Sequence, residues 1–204
     1  MVSMELVELG ALSADDVDRV RAIYEDAFPE ALRVPFADLL VDRMLVGVVD
    51  AAPVGLALVR DLVADDGADS GWTFLRYYAV GTRGRGDGSR LWAAVTDRLR
   101  REGRRLFVWD VEDPDEEGLS PAEVEEHRRR IVFYERLGGR LLPVRDYHPP
   151  HDGFAPRLLL MSQELAPGAD PDLRSLVEGV FALRYGAGPD HPAVVRTLRA
   201  SDLD

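Results

Sequence analysis

Residues 72–105, WTFLRYYAVGTRGRGDGSRLWAAVTDRLRREGRR, pass from an apolar strand through a loop with four glycines into an amphipathic helix, and this junction constrains the fold more than any other stretch. Gly84, Gly86 and Gly88 leave backbone N–H groups unshielded and open positive φ angles to the chain. The helix that follows aims further N–H groups, and the positive end of its dipole, at the same place, so a phosphate or diphosphate can lie against the main chain. From Arg83 to Arg105, eight arginines stand against Asp87, Asp97 and Glu102. That is +5 locally in a chain of formal net charge −12, which leaves −17 for the rest. A basic element led by glycine amides in an anionic protein reads as the docking site of a negatively charged ligand. After Ser89, Leu91, Trp92, Val95 and Leu99 repeat with helical period as one buried stripe, and Gly103 ends the helix. The plainer reading of the same glycines is a tight strand-to-helix turn without a ligand. No Gly-Lys-Ser/Thr follows, so this is not a Walker loop, and the spacing does not give Gly-x-Gly-x-x-Gly.

The remaining elements follow from periodicity and punctuation. MELVEL reads as a first strand. Ser13 caps a helix whose Val17, Val20, Tyr24 and Phe28 share a face before Pro29 stops it, and Pro35 starts a shorter helical piece. RMLVGVVD and VGLALVRDL, joined by Ala51-Ala52-Pro53, read as a hairpin, and Ala64 to Ser70 loop into the fourth strand. RLFVWDVE, apolar on both faces, is a central fifth strand. Ser120-Pro121-Ala122-Glu123 has capping-box spacing, which predicts a helix from Pro121 to near Gly138. GRLLPVRDY and APRLLLMSQEL follow as two strands. This order gives a mixed α/β sandwich, not a strictly alternating doubly wound fold.

With these residues in view, the chain resembles the GNAT superfamily of acyl-CoA-dependent N-acetyltransferases. The family signature Arg/Gln-x-x-Gly-x-Gly/Ala is met by Arg83, Gly86 and Gly88, and Phe133-Tyr134-Glu135-Arg136-Leu137-Gly138-Gly139 is similar to the family's Phe-Tyr-Glu-Lys-Leu-Gly-Phe segment. Element order agrees over residues 4–165. Three departures stand out: the loop before Arg83 is about two residues short of the usual length, Asp87 replaces an aliphatic residue, and His127 stands where many members have asparagine. The resemblance implies an α/β fold with a GNAT-like mixed, mostly antiparallel sheet flanked by helices. It implies acetyl-CoA as acyl donor and a primary amine as acceptor. The backbone of Tyr78, Ala79 and Val80 would hold the pantetheine arm and polarise the thioester carbonyl. Arg83, Gly84, Arg85, Gly86, Asp87, Gly88 and Ser89 would form the pyrophosphate loop, with Tyr134 as proton donor to the leaving sulfur. Taken alone, Tyr134 also reads as a core aromatic.

Asp87 beside a diphosphate is repulsive, so we read it as a capping or N-terminal helix residue turned toward solvent. Asp110 and Glu112, at the end of the fifth strand, are candidates for general base, though each also reads as a solvated strand-end carboxylate and deprotonation through water needs neither. Glu112, Asp113, Asp115, Glu116 and Glu117 cluster after that strand, which the resemblance places at the acceptor entrance; they suggest a cationic small-molecule amine such as a polyamine, and equally read as a solubilising charge run. His148 and His151 make a His-x-x-His pair without a convincing third ligand, so no metal is expected. His127 reads as a helix-surface residue and His191 as a turn residue.

The chain has 204 residues, 46% of them hydrophobic, and no cysteine, which suits one core without disulfides and excludes a thiol nucleophile. We divide it into a GNAT-like domain, residues 1–165, and a helical C-terminal extension, 166–204, that either covers its own domain or forms a homodimer contact. The acidic balance argues against nucleic acid. The first residues lack a signal-peptide pattern and no apolar run spans a bilayer, so the expectation is a cytoplasmic protein without a membrane partner. Two other classes remain open: a non-catalytic acyl-CoA-binding module, and an interaction protein whose loop glycines are structural.

Overall fold

In the computed structural model, which describes residues 4–28, 30, 33–63, 69–82, 84–150 and 156–204, the chain runs through β1 (Glu5–Glu8), α1 (Ala14–Ala27), a 3-10 turn (Phe36–Val41), β2 (Arg43–Val49), β3 (Ala52–Val63) and β4 (Asp69–Val80). It continues through α2 (Asp87–Arg101), β5 (Leu106–Glu112), α3 (Pro121–Arg136), β6 (Arg140–Leu141), β7 (Leu158–Glu164), α4 (Leu173–Tyr185) and α5 (Pro192–Ala200). The strand order is β1-β2-β3-β4-β5-β7-β6. The pairs β1/β2, β2/β3, β5/β7 and β6/β7 are antiparallel, and the helical crossover from β4 through α2 to β5 makes the sheet mixed.

The helix starts are set by side chains the sequence places there. Ser13 accepts from the Asp16 N–H, and Ser120 with Glu123 forms the reciprocal box that starts α3 at Pro121. Two strand readings need correction. The β2–β3 hairpin turns on Asp50 and Ala51, with φ of 50° and 61°, so Ala52 and Pro53 belong to the strand. The expected strand over 139–147 shrinks to Arg140–Leu141. Pro143 offers no N–H to a ladder, and Asp146, at φ 51°, turns the chain away.

The chain divides into two compact units, residues 1–60 with 75–103 and residues 61–74 with 104–204. In the first, Val20 and Tyr24 of α1 pack with Leu39, Met44, Val46, Leu56, Leu58, Tyr77 and Ala79. On this unit's other sheet face α2 lies close: a Cβ on Gly47 would stand 2.9 Å from Leu91, and one on Gly55 would stand 3.0 Å from the same leucine. In the second unit, Leu106 and Val108 of β5 and Leu160 of β7 share one buried cluster with Leu176, Val177, Val180 and Phe181 of α4 and with Val194 and Leu198 of α5. The C-terminal helices are thus part of that unit's core.

Candidate active site

Within the first unit, β4 ends at Val80 and the chain turns at Gly81, whose N–H donates to the Val54 carbonyl at 2.9 Å. Gly84 and Gly86 adopt φ of 84° and 78°, and nothing lies within 4 Å of a Cβ built on either. Gly86 is the N-cap of α2 and supplies no side chain to the first helical N–H groups. The other four α-helices are each capped by a side chain, from Ser13, Ser120, Asp172 and His191. The start of α2 therefore presents bare amides with the positive end of the helix dipole behind them. The Tyr78 hydroxyl donates to the Gly88 carbonyl, and its ring meets Trp92 edge-on at 5.6 Å, which fixes the loop against β4. Arg85 and Ser89 are exposed beside these amides, Ala79 is buried, and Arg83 lies outside the described residues.

Asp87 corrects the reading from sequence. It is the first residue of α2 but only 5% exposed, and it pairs with Arg90 one turn on. The favourable end of the helix dipole and the guanidinium offset its charge, so it need not face solvent or repel a diphosphate. The basic stretch is likewise less uniform than its composition suggests. Arg98 pairs with Glu8 and Glu102, Arg100 with Asp97, and Arg104 with Asp61 and Asp69. Among the described residues, the exposed basic side chain beside the α2 amides is Arg85, and the rest of the basic stretch is partly paired within the chain.

In the second unit, Tyr134 of α3 is 7% exposed, with its ring 5.0 Å from Trp109 and 5.2 Å from Phe133. Burial pushes the phenol well above its ordinary value, so it is protonated throughout the neutral range. Gly139 lets the chain pass this pair, since a Cβ there would stand 2.8 Å from Trp109 and 2.9 Å from the Tyr134 carbonyl. Glu112 is bonded to Arg130, which also meets Glu126 at 3.4 Å. Burial pushes Glu112 up, but the charge and hydrogen bond of Arg130 outweigh it and hold the carboxyl below its usual value. A carboxylate so held is a poor proton acceptor at neutral pH. Asp110 differs. Burial raises its pKa, against hydrogen bonds from Tyr185 at 2.6 Å and Tyr147 at 3.3 Å. No local motif marks either tyrosine, and reading the sequence missed both.

The acidic loop is largely met from within. Asp113 is 3% exposed and pairs with Arg157 at 2.7 Å, and Asp115 stands 4.0 Å from Arg128. Glu116 accepts from the Arg157 N–H at 3.1 Å. With Glu112 on Arg130, three of the five carboxylates face arginines, which weakens the field that would select a cation. His127 is half-buried rather than a surface residue, and its Nδ1 has no hydrogen-bond partner among the described residues. His191 caps α5, and His148 pairs with Asp146 at 3.1 Å. His151 lies outside the described residues, among which no group of three His, Asp or Glu is arranged to hold a metal ion.

No family model matches the chain, and no curated protein matches it. Solved structures do. A protein of Bacteroides thetaiotaomicron assigned to the GNAT family as an acetyltransferase superposes with a TM-score of 0.64 at 21% identity, over 90% of this chain and 99% of that one. An Arabidopsis thaliana Naa50 bound to the bisubstrate analogue CoA-Ac-MVNAL gives 0.54 at 17% identity, over 79% and 99%. A Bacillus subtilis acetyltransferase in complex with CoA gives 0.50 at 12%, over 81% and 100%. The chain therefore has the GNAT fold, as the glycine loop and the Phe133–Gly139 segment led us to expect.

Proposed function

We propose that this chain is an acyl-CoA-dependent N-acetyltransferase that transfers an acetyl group from acetyl-CoA to the primary amine of a small molecule, acting in the cytoplasm. The observation that carries the reading is the start of α2: on a GNAT fold, the one α-helix without a side-chain cap among the described residues follows β4 and begins at a glycine of φ 78°. The residues fit a diphosphate. No side chain caps the first turn of α2, a Cβ at Gly84 or Gly86 would project into the open space a ligand needs, and Arg85 adds an exposed positive charge.

When bound, acetyl-CoA supplies an activated thioester carbonyl. The chain's part is to hold and orient it through the loop amides and the backbone of Tyr78, Ala79 and Val80, and to move protons. Tyr134 suits proton delivery to the departing sulfur because burial keeps it protonated while its ring is fixed between two aromatics. The acceptor is proposed only as a primary amine. The cationic preference expected from the acidic loop is weakened but not removed, since three of its five carboxylates face Arg128, Arg130 and Arg157.

The test is calorimetry with CoA, followed by acetyl-CoA turnover against small amines and peptide N-termini. Micromolar CoA binding with amine-dependent thiol release supports the reading. Binding without turnover on any amine marks an acyl-CoA-binding module, and no binding sinks both.

A further inference from the structure

Among the described residues of the first unit, two buried side-chain polar atoms have no hydrogen-bond partner, the Nε of Arg33 and the Nε of Arg76. Both are donors in charged groups, whose burial without an acceptor is among the costlier arrangements in a protein. Both stand beside one aromatic cluster. Tyr77 of β4 meets Tyr24 edge-on at 5.2 Å and Phe28 at 5.0 Å, and Phe36 lies 6.1 Å from Tyr24. The Arg76 guanidinium lies over the Tyr77 ring, 5.5 Å from its centroid. Arg33 precedes Val34, whose N–H donates to the Tyr24 hydroxyl at 3.1 Å and whose carbonyl accepts from it at 3.2 Å.

The anion already in place is Asp42, whose side chain is closed to solvent. Its Oδ2 accepts from Nη1 of Arg76 at 2.9 Å and its Oδ1 from Arg60, so one carboxylate divides its charge between two guanidiniums. A cluster built only to neutralise Asp42 needs a single arginine, whose guanidinium takes a carboxylate by two parallel bonds. Arg76 uses Nη1 for Asp42 and leaves its Nε unmet. Its side chain also keeps 15% exposure, so a ligand reaches it from solvent. A guanidinium fixed at one end, lying on a ring and holding a charged donor in reserve suits an oxyanion that a ligand brings.

We propose that Arg76, with Arg33 as a second unmet donor, binds a carboxylate carried by the acceptor, so that the amine acetylated belongs to a molecule with a free carboxylate, as in an amino acid. The proposal rests on the acetyl-transfer reading above. On that reading the backbone of Tyr78, Ala79 and Val80 holds the thioester, and Arg76 stands on the same strand just before Tyr77 and Tyr78, about 7 Å along it from the latter. A small molecule with an amine at one end and a carboxylate at the other spans such an interval. The Nε of Arg76 donates to the carboxylate, the Tyr77 ring borders the carbon chain, and the amine is left free for the thioester. A polyamine offers these donors nothing, so this subsite opposes the cationic preference suggested by the acidic run.

The experiment uses the full chain and matched acceptors, namely glycine, β-alanine and phenylalanine, each beside its carboxamide, with spermidine as the cationic competitor. Thiol release from acetyl-CoA gives kcat/KM for each. The unaltered chain should favour the best acid over its own amide by about 10- to 100-fold, the worth of a charge-assisted bond to a buried donor. Arg76→Lys keeps a charge beside Asp42 without the Nε–H, and Arg33→Gln leaves the Asp42 pairs in place. Each should lower the acid-to-amide ratio by ~10-fold, through KM rather than kcat. A merely structural cluster would lower the melt, reduce turnover of acid and amide alike and leave their ratio where it was. That result in Arg33→Gln, or in Arg76→Lys where it folds, overturns the proposal, as does an unaltered chain that prefers the amides or spermidine. If the unaltered chain acetylates no amine, the acetyl-transfer reading fails and this inference with it. That failure is distinct, because it shows before any variant is made.

Discussion

Gly86→Val and Gly103→Val form a matched pair at opposite ends of one helix. Both glycines are left-handed, at φ 78° and 80°, and a Cβ added to either would have no atom within 4 Å. An L-residue forced into this conformation costs about 1–2 kcal/mol. For a chain of this size that lowers the melting temperature by roughly 2–8 °C in either variant. Only Gly86 stands before bare amides. A branched side chain there covers the N–H groups of the first helical turn, and each charge-assisted bond to a diphosphate is worth about 1.5–3 kcal/mol. Losing one or two such bonds should weaken CoA by about 10- to 10⁴-fold, whereas Gly103→Val should bind CoA as the parent does. The assays are thermal melts without ligand and calorimetry with CoA. Equal CoA affinities in the two folded variants would falsify the assignment of the cradle.

Tyr134→Phe keeps the packing against Trp109 and should lower turnover by ~10²-fold with CoA affinity intact, measured by thiol release and calorimetry. Normal turnover with a lower melt would leave that tyrosine a purely structural role. Ala51→Gly relieves a left-handed alanine at φ 61° and should stabilise the chain by about 0.5–1 kcal/mol in urea unfolding; no gain would show that the hairpin carries no strain there. Asp110 has a raised folded pKa, so the stability linked to its protonation is present at low pH and lost as pH rises through that value. Asp110→Asn should therefore gain stability on the parent at pH 7 and less at pH 4, and an equal or reversed difference contradicts the buried-charge cost. Glu112 has the opposite sign: its folded pKa is depressed, so its contribution is present above the ordinary carboxylate value and lost as pH falls through the folded one. Glu112→Gln should accordingly be destabilising at neutral pH and close to neutral in acid, read from the same unfolding curves.

What the sequence disclosed was mostly local. Ser13, the Ser120–Glu123 box and the stripe of Leu91, Trp92, Val95 and Leu99 act within a few residues of themselves, and α1, α3 and α2 form where those signals lie. The cradle was legible for the same reason, because glycine's conformational freedom belongs to the residue itself. Asp87 was misread although its partner is only three positions on, since period alone does not say which polar residue of a first turn is covered. The strand expected over 139–147 failed at Pro143 and Asp146, where backbone chemistry overrides an apolar pattern. Least visible was Asp110. Its phenol partners lie 37 and 75 positions away, so only the folded chain brings them together. The acidic run after β5 looked like a field because its arginine partners, Arg128, Arg130 and Arg157, come from other elements.

The bare start of α2 also ties the persistence of the folded chain to its surroundings. Four helices carry their own side-chain caps, while α2 has none at Gly86 and, on the proposed reading, takes an anion there. An anion that binds only the folded form adds RT ln(1 + [L]/Kd), about 2.7 kcal/mol at a hundredfold excess over Kd. That is a sizeable share of the stability of an ordinary domain. Its resistance to proteolysis should then track the supply of CoA. Starved of it, the chain should open more often and be degraded sooner, so that its abundance follows the cell's acyl supply without any regulator. A limited-proteolysis series at rising CoA measures this directly, and a cleavage rate indifferent to CoA would show that the α2 amides are satisfied by water alone.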